Sequence, residues 1–178
     1  MLMASGTNFG LARTVPHMLG VAIGFVLMLL MVGVGIAWIF EALPAAYIVL
    51  KVVSVAYLLC LAYKIATANP PAPDAEQGEA ARPLTFVQAA AFQWVNPKAW
   101  TMALTAVSAY VPAEQRGTGL VTVAVIFGAI NLPSVGVWAA MGAQMRRFLT
   151  RPRALRAFNL GAAMLLVGSL YPIVFGDH

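Results

Sequence analysis

The sequence predicts an all-α protein, a polytopic bundle of helices that cross a membrane. Three observations predict this class: 61% of the residues are hydrophobic, only 10% are charged, and the mean hydropathy is +0.83. Soluble domains carry roughly 25% charged residues, whereas the apolar runs here reach the ~20 residues that a spanning helix needs. The runs do not alternate between apolar and polar residues, as the strands of a membrane barrel would.

We predict five spans within a single transmembrane domain, residues 1–178. The apolar stretches that define them are residues 16–40, 43–66, 84–111, 117–143 and 157–175. Two polar segments between them are predicted to be cytoplasmic loops. Residues 67–83 are rich in proline, alanine and acidic side chains, which indicates a flexible loop. Residues 144–156 form the second loop, which is strongly basic.

The distribution of charge predicts the orientation. With the N-terminus in the cytoplasm, eight of the eleven Lys and Arg residues fall in cytoplasmic loops and only Arg116 falls outside. The positive-inside rule therefore favours a cytoplasmic N-terminus and, after five spans, an external C-terminus. Five arginines lie between Arg146 and Arg156, beside a hydrophobic segment, so the net charge of +5 favours a membrane surface over nucleic acid as partner.

The third span contains the most informative motif, Asn96-Pro97-Lys98. A lysine at mid-depth in a bilayer costs ~2.5–3.5 kcal/mol and usually marks a pathway or a partner. Pro97 has no N–H for the carbonyl of Gln93, and Asn96 is disfavoured in helical geometry because it precedes a proline. Broken helices at mid-depth expose backbone to the substrate in many transporters. The alternative is a kink that only shapes packing.

The fourth span repeats this chemistry in weaker form. Pro133 frees the carbonyl of Ala129 and predicts a second break. Asn131 either lines the same path as Lys98 or hydrogen-bonds a neighbouring helix, and both alternatives stay open. The candidate residues of a substrate path are therefore Gln93, Asn96, Pro97, Lys98, Asn131 and Pro133.

Four other residues have simpler interpretations that we favour. Lys51 lies near a membrane boundary, where a lysine extends its ammonium to the surface. His17 anchors the end of the first span, although a histidine can also relay protons. Gly20 and Gly24 are four residues apart, a spacing that permits close helix approach.

Several kinds of chemistry have no support in the sequence. No Asp or Glu lies within a predicted span, no cluster of His and Cys offers a metal site, and no glycine-rich nucleotide loop appears. No nucleophile lies beside a base. We therefore expect no metal, no cofactor and no enzyme activity. The single cysteine, Cys60, excludes an intrachain disulfide, and we expect it to pack inside the bundle.

Several motifs together resemble those of the lysine-exporter (LysE/RhtB-type) translocators, small amino-acid exporters of the bacterial inner membrane. The Asn-Pro-Lys-Ala step is the most specific of these motifs, and the resemblance covers nearly the whole printed chain. The matching segments are Ala4-Ser5-Gly6-x-Asn8-Phe9-Gly10, Pro16-His17-x-Leu19-Gly20, Lys51 with Ala56-Tyr57-Leu58, Asn96-Pro97-Lys98-Ala99, and Arg156-Ala157-Phe158-Asn159 followed by Gly161.

The resemblance implies a function. It implies a multi-pass protein of the bacterial inner membrane that exports amino acids or related small metabolites, driven by an ion gradient with a proton as the coupling ion. The partners would be the small-molecule substrate and the lipid bilayer, without nucleic acid. The oligomeric state stays open, with a homodimer as one alternative.

The printed chain departs from the family pattern at its start. Family members usually have six spans in two related, inverted three-span halves, and the first span contains a Pro-Gly-Pro-Asn motif. That motif would be the counterpart of Asn96-Pro97-Lys98, and it is missing before Met1. Two interpretations follow: an exporter whose start codon is assigned too late, or an N-terminally truncated, non-transporting scaffold or remnant.

Overall fold

A computed structural model of the protein describes residues 1–36, 42–68, 82–112, 116–149, 152–171 and Phe175. Within these residues every regular element is helical, which confirms the predicted all-α class. Seven α-helices follow one another, and a π-helical turn, Val32–Ile36, ends the second. The helices are α1 (Leu2–Phe9), α2 (Leu11–Met31), α3 (Pro44–Ala66), α4 (Phe86–Val95), α5 (Pro97–Tyr110), α6 (Arg116–Phe148) and α7 (Pro152–Gly168).

Helix length distinguishes three of the five predicted spans. In the described part of the chain, three helical stretches are long and apolar enough to cross a membrane: Leu11–Gly35, Ile48–Ala66 and Gly117–Met145. The predicted third span is divided at Asn96 into α4 and α5, and the predicted fifth corresponds to α7, which has 17 residues. Neither α4, α5 nor α7 alone reaches the ~20 residues of a spanning helix.

Helix α2 is the centre of the bundle and packs against α1, α4, α5 and α6. Two glycines allow α4 to approach it closely. A Cβ on Gly20 would collide with the carbonyl of Phe86, and a Cβ on Gly24 would collide with Ala90. This confirms the close helix approach predicted from the spacing of these glycines.

The two faces of α2 differ in polarity in the way a membrane requires. Thr14 and His17 face inward and are buried, while large apolar side chains cover the outward face. Lipid accepts apolar side chains, and the bundle interior is the place where polar groups find partners. The exposed apolar residues recur every three or four positions: Leu11, Val15, Leu19, Ile23, Leu27, Met31 and Val34.

The main hydrophobic core surrounds the second half of α2. Met28 and Leu29 are fully buried there and pack with Trp100 of α5 and Leu120 of α6. The buried polar residues Thr14 and His17 lie in the first half of the same helix. The bundle therefore has an apolar end and a polar end along α2.

Helix α1 is short, is composed mainly of small and polar residues, and packs against the C-terminal half of α6. A Cβ on Gly6 would collide with the carbonyl of Ala139, and a Cβ on Gly142 would collide with the carbonyl of Met3. The two backbones are thus in direct contact. The helix ends at Phe9. The next residue, Gly10, has a φ of 80° and a ψ of 168°, a conformation that favours glycine, and α2 begins at Leu11.

Exposed basic side chains gather at one end of the bundle, which we term the basic end. Helices α2, α4 and α7 begin there and α3 ends there. The side-chain amide of Asn159 in α7 joins two of these ends by donating to the carbonyl of Ala68, just after α3, at 3.3 Å. The exposed basic residues at this end are Arg13, Lys64, Arg82, Arg153 and Arg156.

Several sequence-based expectations need correction. Cys60 is exposed on α3 rather than packed inside. Helix α6 continues through Pro133 without a break, since neighbouring groups in a membrane bundle can satisfy a carbonyl freed by proline. Helical structure also extends into the predicted basic loop 144–156, because α6 ends only at Phe148 and α7 begins at Pro152. Most of the predicted loop 67–83, residues 69–81, lies outside the described residues.

We expect Gly6→Ala and Gly142→Ala each to destabilise the bundle. Each methyl group would be forced against a backbone carbonyl that cannot rotate away, and overpacking of this kind typically costs about 1–3 kcal/mol. The measurement is the midpoint of thermal unfolding of the purified protein in detergent, followed by tryptophan fluorescence. Gly161→Ala is the matched control, since a Cβ there meets nothing within 4 Å. Equal midpoints for all three variants would contradict the contact between α1 and α6.

Candidate functional site

A cavity of about 460 Å³ lies at the basic end, between α1, the first half of α2, the end of α3 and the start of α4. This volume falls within the range of about 300–1,000 Å³ that small-molecule sites occupy. The walls combine apolar, neutral polar and basic side chains. The polar and charged members of the lining are Ser5, Asn8, His17, Lys64, Thr67, Arg82, Thr85 and Gln88.

The most unusual group in the cavity wall is the imidazole of His17. The residue is only 3% exposed, and neither Nδ1 nor Nε2 has a hydrogen-bond partner among the described residues. A buried polar group without a partner costs about 1–3 kcal/mol. His17 was interpreted from the sequence as a surface anchor, and its burial contradicts that interpretation.

A pair of asparagines beside the cavity is fully paired. The side-chain amide of Asn8 donates to Oδ1 of Asn159 at 2.9 Å, and the amide of Asn159 donates back to Oδ1 of Asn8 at 3.1 Å. Asn8 also donates to the carbonyl of Ala4. Because Asn159 reaches Ala68 as well, this buried pair ties α1, α7 and the end of α3 together.

A second buried network fixes the junction between α1 and α2. The hydroxyl of Thr14 donates to the carbonyl of Gly10 at 2.8 Å, so the hydroxyl of Ser5 donates to Thr14 Oγ1 at 3.1 Å. Thr7 donates from the opposite side of α1 to the carbonyl of Gly142 at 2.9 Å. The polar residues of α1 are thus used to position this helix.

The start of α4 forms the opposite rim of the cavity. Thr85 and Gln88 make a capping box: the backbone N–H of Gln88 donates to Thr85 Oγ1 at 3.3 Å, and the backbone N–H of Thr85 donates to Gln88 Oε1 at 3.0 Å. Arg82 precedes this cap, and Lys64 lies in the last turn of α3. Both basic side chains are exposed, so the cavity has a positively charged mouth.

The predicted helix break at Asn96-Pro97 is present. Asn96 has an extended backbone, ends α4 and caps α5 by accepting a hydrogen bond from the N–H of Lys98 at 3.2 Å. The carbonyl of Gln93, which has no partner at Pro97, accepts instead from the N–H of Asn96 at 3.3 Å. Lys98 itself is exposed, at the N-terminus of α5.

Two tryptophans bridge this break. The indole N–H of Trp100 in α5 donates to the carbonyl of Trp94 in α4 at 2.9 Å, and the two rings meet edge to face with centroids 6.0 Å apart. Gln93 is buried beside them and donates to the carbonyl of Ala89. The bend between α4 and α5 is therefore fixed by side chains from both helices.

The six predicted path residues form two groups. Gln93, Asn96, Pro97 and Lys98 lie together at the break, while Asn131 and Pro133 lie on α6. Pro133 is exposed and Asn131 is half-buried. No hydrogen bond among the described residues joins Asn131 to another helix, so the alternative of structural pairing has no support there. None of the six residues lines the cavity at the basic end.

The cavity residues were missed as a site because each looked ordinary by itself in the sequence. Asn8 and Asn159 were noticed only as parts of matching motifs, and they are 151 positions apart. One signal could have found them: polar side chains recur at Ser5, Asn8 and His17, close to a run of small residues that must be buried. Which of those side chains would be left without a partner depends on tertiary contacts.

Comparison with known protein families addresses the class of protein. The model of the LysE type translocator family matches residues 1–169. The chain belongs to the LysE type translocator family. This confirms the resemblance seen in the motifs and indicates a transporter rather than an enzyme. No solved structure gives a significant match to the chain.

Relatives of this LysE-type chain include efflux proteins of enteric bacteria. The cysteine/O-acetylserine efflux proteins of Escherichia coli strains K12 and HS and of Shigella flexneri serotype 5b are each 31% identical to it over 169 residues. The similarity covers 94% of this chain and 83% of each relative. This LysE-type protein is therefore a multi-pass bacterial membrane protein similar to amino-acid exporters.

We expect the Asn8–Asn159 pair to show energetic coupling. Asn8→Ala and Asn159→Ala should each destabilise the protein, and the double variant should lose less than the sum, by about 0.6–2 kcal/mol, the range for hydrogen bonds between membrane helices. The measurement is a double-mutant cycle of unfolding free energies in detergent. A second cycle with Asn131→Ala in place of Asn159→Ala should be additive. Additivity in both cycles would contradict the pair.

Proposed function

We propose that the protein is a secondary-active exporter of small neutral amino acids or related metabolites, of the class that includes cysteine and O-acetylserine. The observation that carries this proposal is the match over 169 residues to proteins named for efflux of these two compounds. A cavity of small-molecule size with a positively charged mouth supports it, because every amino acid carries a carboxylate. The proposed driving force is an ion gradient, with the proton as coupling ion.

The proposed orientation places the basic end in the cytoplasm. This follows the positive-inside rule, since the exposed residues Arg13, Lys64, Arg82, Arg153 and Arg156 lie together at that end. The cavity would then open toward the compartment in which the substrate is made. The protein would lie in the bacterial inner membrane.

The proposed substrate path passes the helix break between α4 and α5. The N-terminus of α5 has a partial positive charge, and Lys98 adds a full one beside it. Broken helices whose N-termini attract anionic groups are a recurrent substrate device in transporters. In this proposal Gln93, Asn96 and Pro97 shape the break and Lys98 contacts the substrate carboxylate. The path would continue along α6, at Asn131 and Pro133.

We expect cells that express the full chain to release cysteine faster than cells with an empty vector. The test uses bacteria that lack their own cysteine exporters, loaded with radiolabelled sulfate so that the cysteine they make is labelled. A several-fold faster appearance of labelled cysteine in the medium supports export, and a protonophore should abolish the difference if protons drive it. Equal release from both strains would contradict the proposed export. Faster release that the protonophore does not affect would contradict only the proton as coupling ion, and export itself would stand.

We expect Lys98→Ala to remove most of this efflux without lowering the amount of protein in the membrane. The variant deletes the positive charge at the N-terminus of α5, whereas the cap made by Asn96 uses only the backbone N–H of Lys98 and stays intact. Lys51→Ala is the matched control, because Lys51 is also a lysine within an apolar helix and should retain at least half of the efflux. Unchanged efflux in Lys98→Ala would contradict the path at the break, while export itself would stand.

A further inference from the structure

Hydrogen-bond partners divide the polar groups of the cavity into two classes. Ser5, Asn8, Thr67, Thr85 and Gln88 each hydrogen-bond another part of the protein. These hydrogen bonds hold the walls of the cavity in place. These neutral polar residues therefore stabilise the walls of the cavity.

His17 belongs to the second class. It lines the cavity and is only 3% exposed, yet neither ring nitrogen has a hydrogen-bond partner among the described residues. A neutral imidazole has one N–H donor and one acceptor nitrogen, so it can bind a group that needs either. Among the buried polar side chains of the described lining, it is the one without a hydrogen-bond partner, so a small polar ligand could satisfy it.

Lys64 and Arg82 supply charge at the mouth of the same cavity. They come from different elements, the last turn of α3 and the segment before α4, and both are exposed. Arginine in particular binds carboxylates through a planar fork of N–H groups.

We propose that this cavity is the loading site of the exporter, in which Lys64 and Arg82 bind the carboxylate of an amino acid and His17 hydrogen-bonds a second polar group of the same molecule. The inference rests on the proposed function and names the residues that first bind the substrate, at a site distinct from the break at Asn96. The charges match the chemistry of the ligand. Two exposed cations at the mouth suit one carboxylate, and the unpartnered imidazole of His17 suits a polar group that has left water.

The geometry also predicts selectivity for small side chains. The apolar part of the lining includes Ala4, Phe9, Leu61 and Ile65, and the paired asparagine Asn8 lies on the side next to α7. A short apolar or weakly polar side chain fits such a wall. A second carboxylate or a long basic side chain would place an unpaired charge against it, which is costly.

The test measures equilibrium binding of radiolabelled L-cysteine, kept reduced, to the full chain in lipid nanodiscs. His17→Phe keeps an aromatic ring but removes both nitrogens, and Lys64→Gln with Arg82→Gln removes the two charges. Each should raise the dissociation constant about tenfold or more, the effect of losing a hydrogen bond that involves a charged group. His17→Gln restores an acceptor and should recover part of the affinity. L-cysteine methyl ester, which lacks the carboxylate, should compete at least tenfold less well than L-cysteine.

Matched controls separate a local effect from a general loss of positive charge. Arg153→Gln and Arg156→Gln remove exposed arginines at the same end of the bundle that do not line the cavity, and their dissociation constants should stay within twofold of the parent. Equal losses in these controls, or equal competition by the methyl ester, would overturn the carboxylate assignment. Unchanged binding in His17→Phe would overturn the role of His17.

The efflux assay distinguishes this proposal from the exporter function beneath it. If the cavity variants bind and export cysteine like the parent while Lys98→Ala does not export, the loading site is wrong and the exporter stands. If the parent chain exports no cysteine in cells, the proposed exporter function is wrong, whether or not the cavity binds cysteine. Reduced export in His17→Phe that is recovered at higher internal cysteine supports a loading role, because weaker binding shifts the concentration at half-maximal rate.

Discussion

Wherever a helix is interrupted in this bundle, its buried backbone polar groups need hydrogen-bond partners within the protein, because neither hydrocarbon nor a packed interior supplies them. At Gly10 the N–H donates to the carbonyl of Gly6, and the carbonyl of Gly10 accepts from the hydroxyl of Thr14. At the second interruption, the N–H of Lys98 donates to the side chain of Asn96, and the N–H of Asn96 donates to the carbonyl of Gln93. The carbonyl of Trp94 accepts from the indole N–H of Trp100. The positions of Ser, Thr, Asn and Trp around both interruptions follow from this requirement.

The same requirement divides the bundle along its length. At the apolar end, Met28 and Leu29 pack against α5 and α6, and the described core there contains no buried charged residue. At the basic end, small residues bring backbones into contact and polar side chains link α1, α2, α3 and α7. The cavity with polar walls lies at the basic end. A void in the apolar core would lose van der Waals contacts without offering hydrogen-bond partners to a ligand. The location of the cavity is thus a property of the whole bundle.

The sequence predicts the helical class and the break at Asn96 well, because both depend on local properties: the length of apolar runs, and a proline without an N–H. It predicts the close contact at Gly20 and Gly24 for the same reason. Pro133 behaves differently, since α6 continues through it although the local signal, a proline without an N–H, is the same as at Pro97. Cys60 is exposed and His17 is buried, the reverse of expectation, because the side of a helix that faces the bundle is decided by packing partners distant in the chain. The cavity depends on such partners throughout.

The two tryptophans at the break have a mechanical consequence. The bond from the Trp100 indole to the Trp94 carbonyl spans the interruption and holds the angle between α4 and α5. Straightening the pair would leave at least one backbone carbonyl without a partner in hydrocarbon, which costs several kcal/mol. Helices α4 and α5 therefore behave as one stiff elbow rather than as a flexible joint. Because α4 lies directly against Gly20 and Gly24 of α2, a change in the angle of this elbow would also disturb that close contact between backbones.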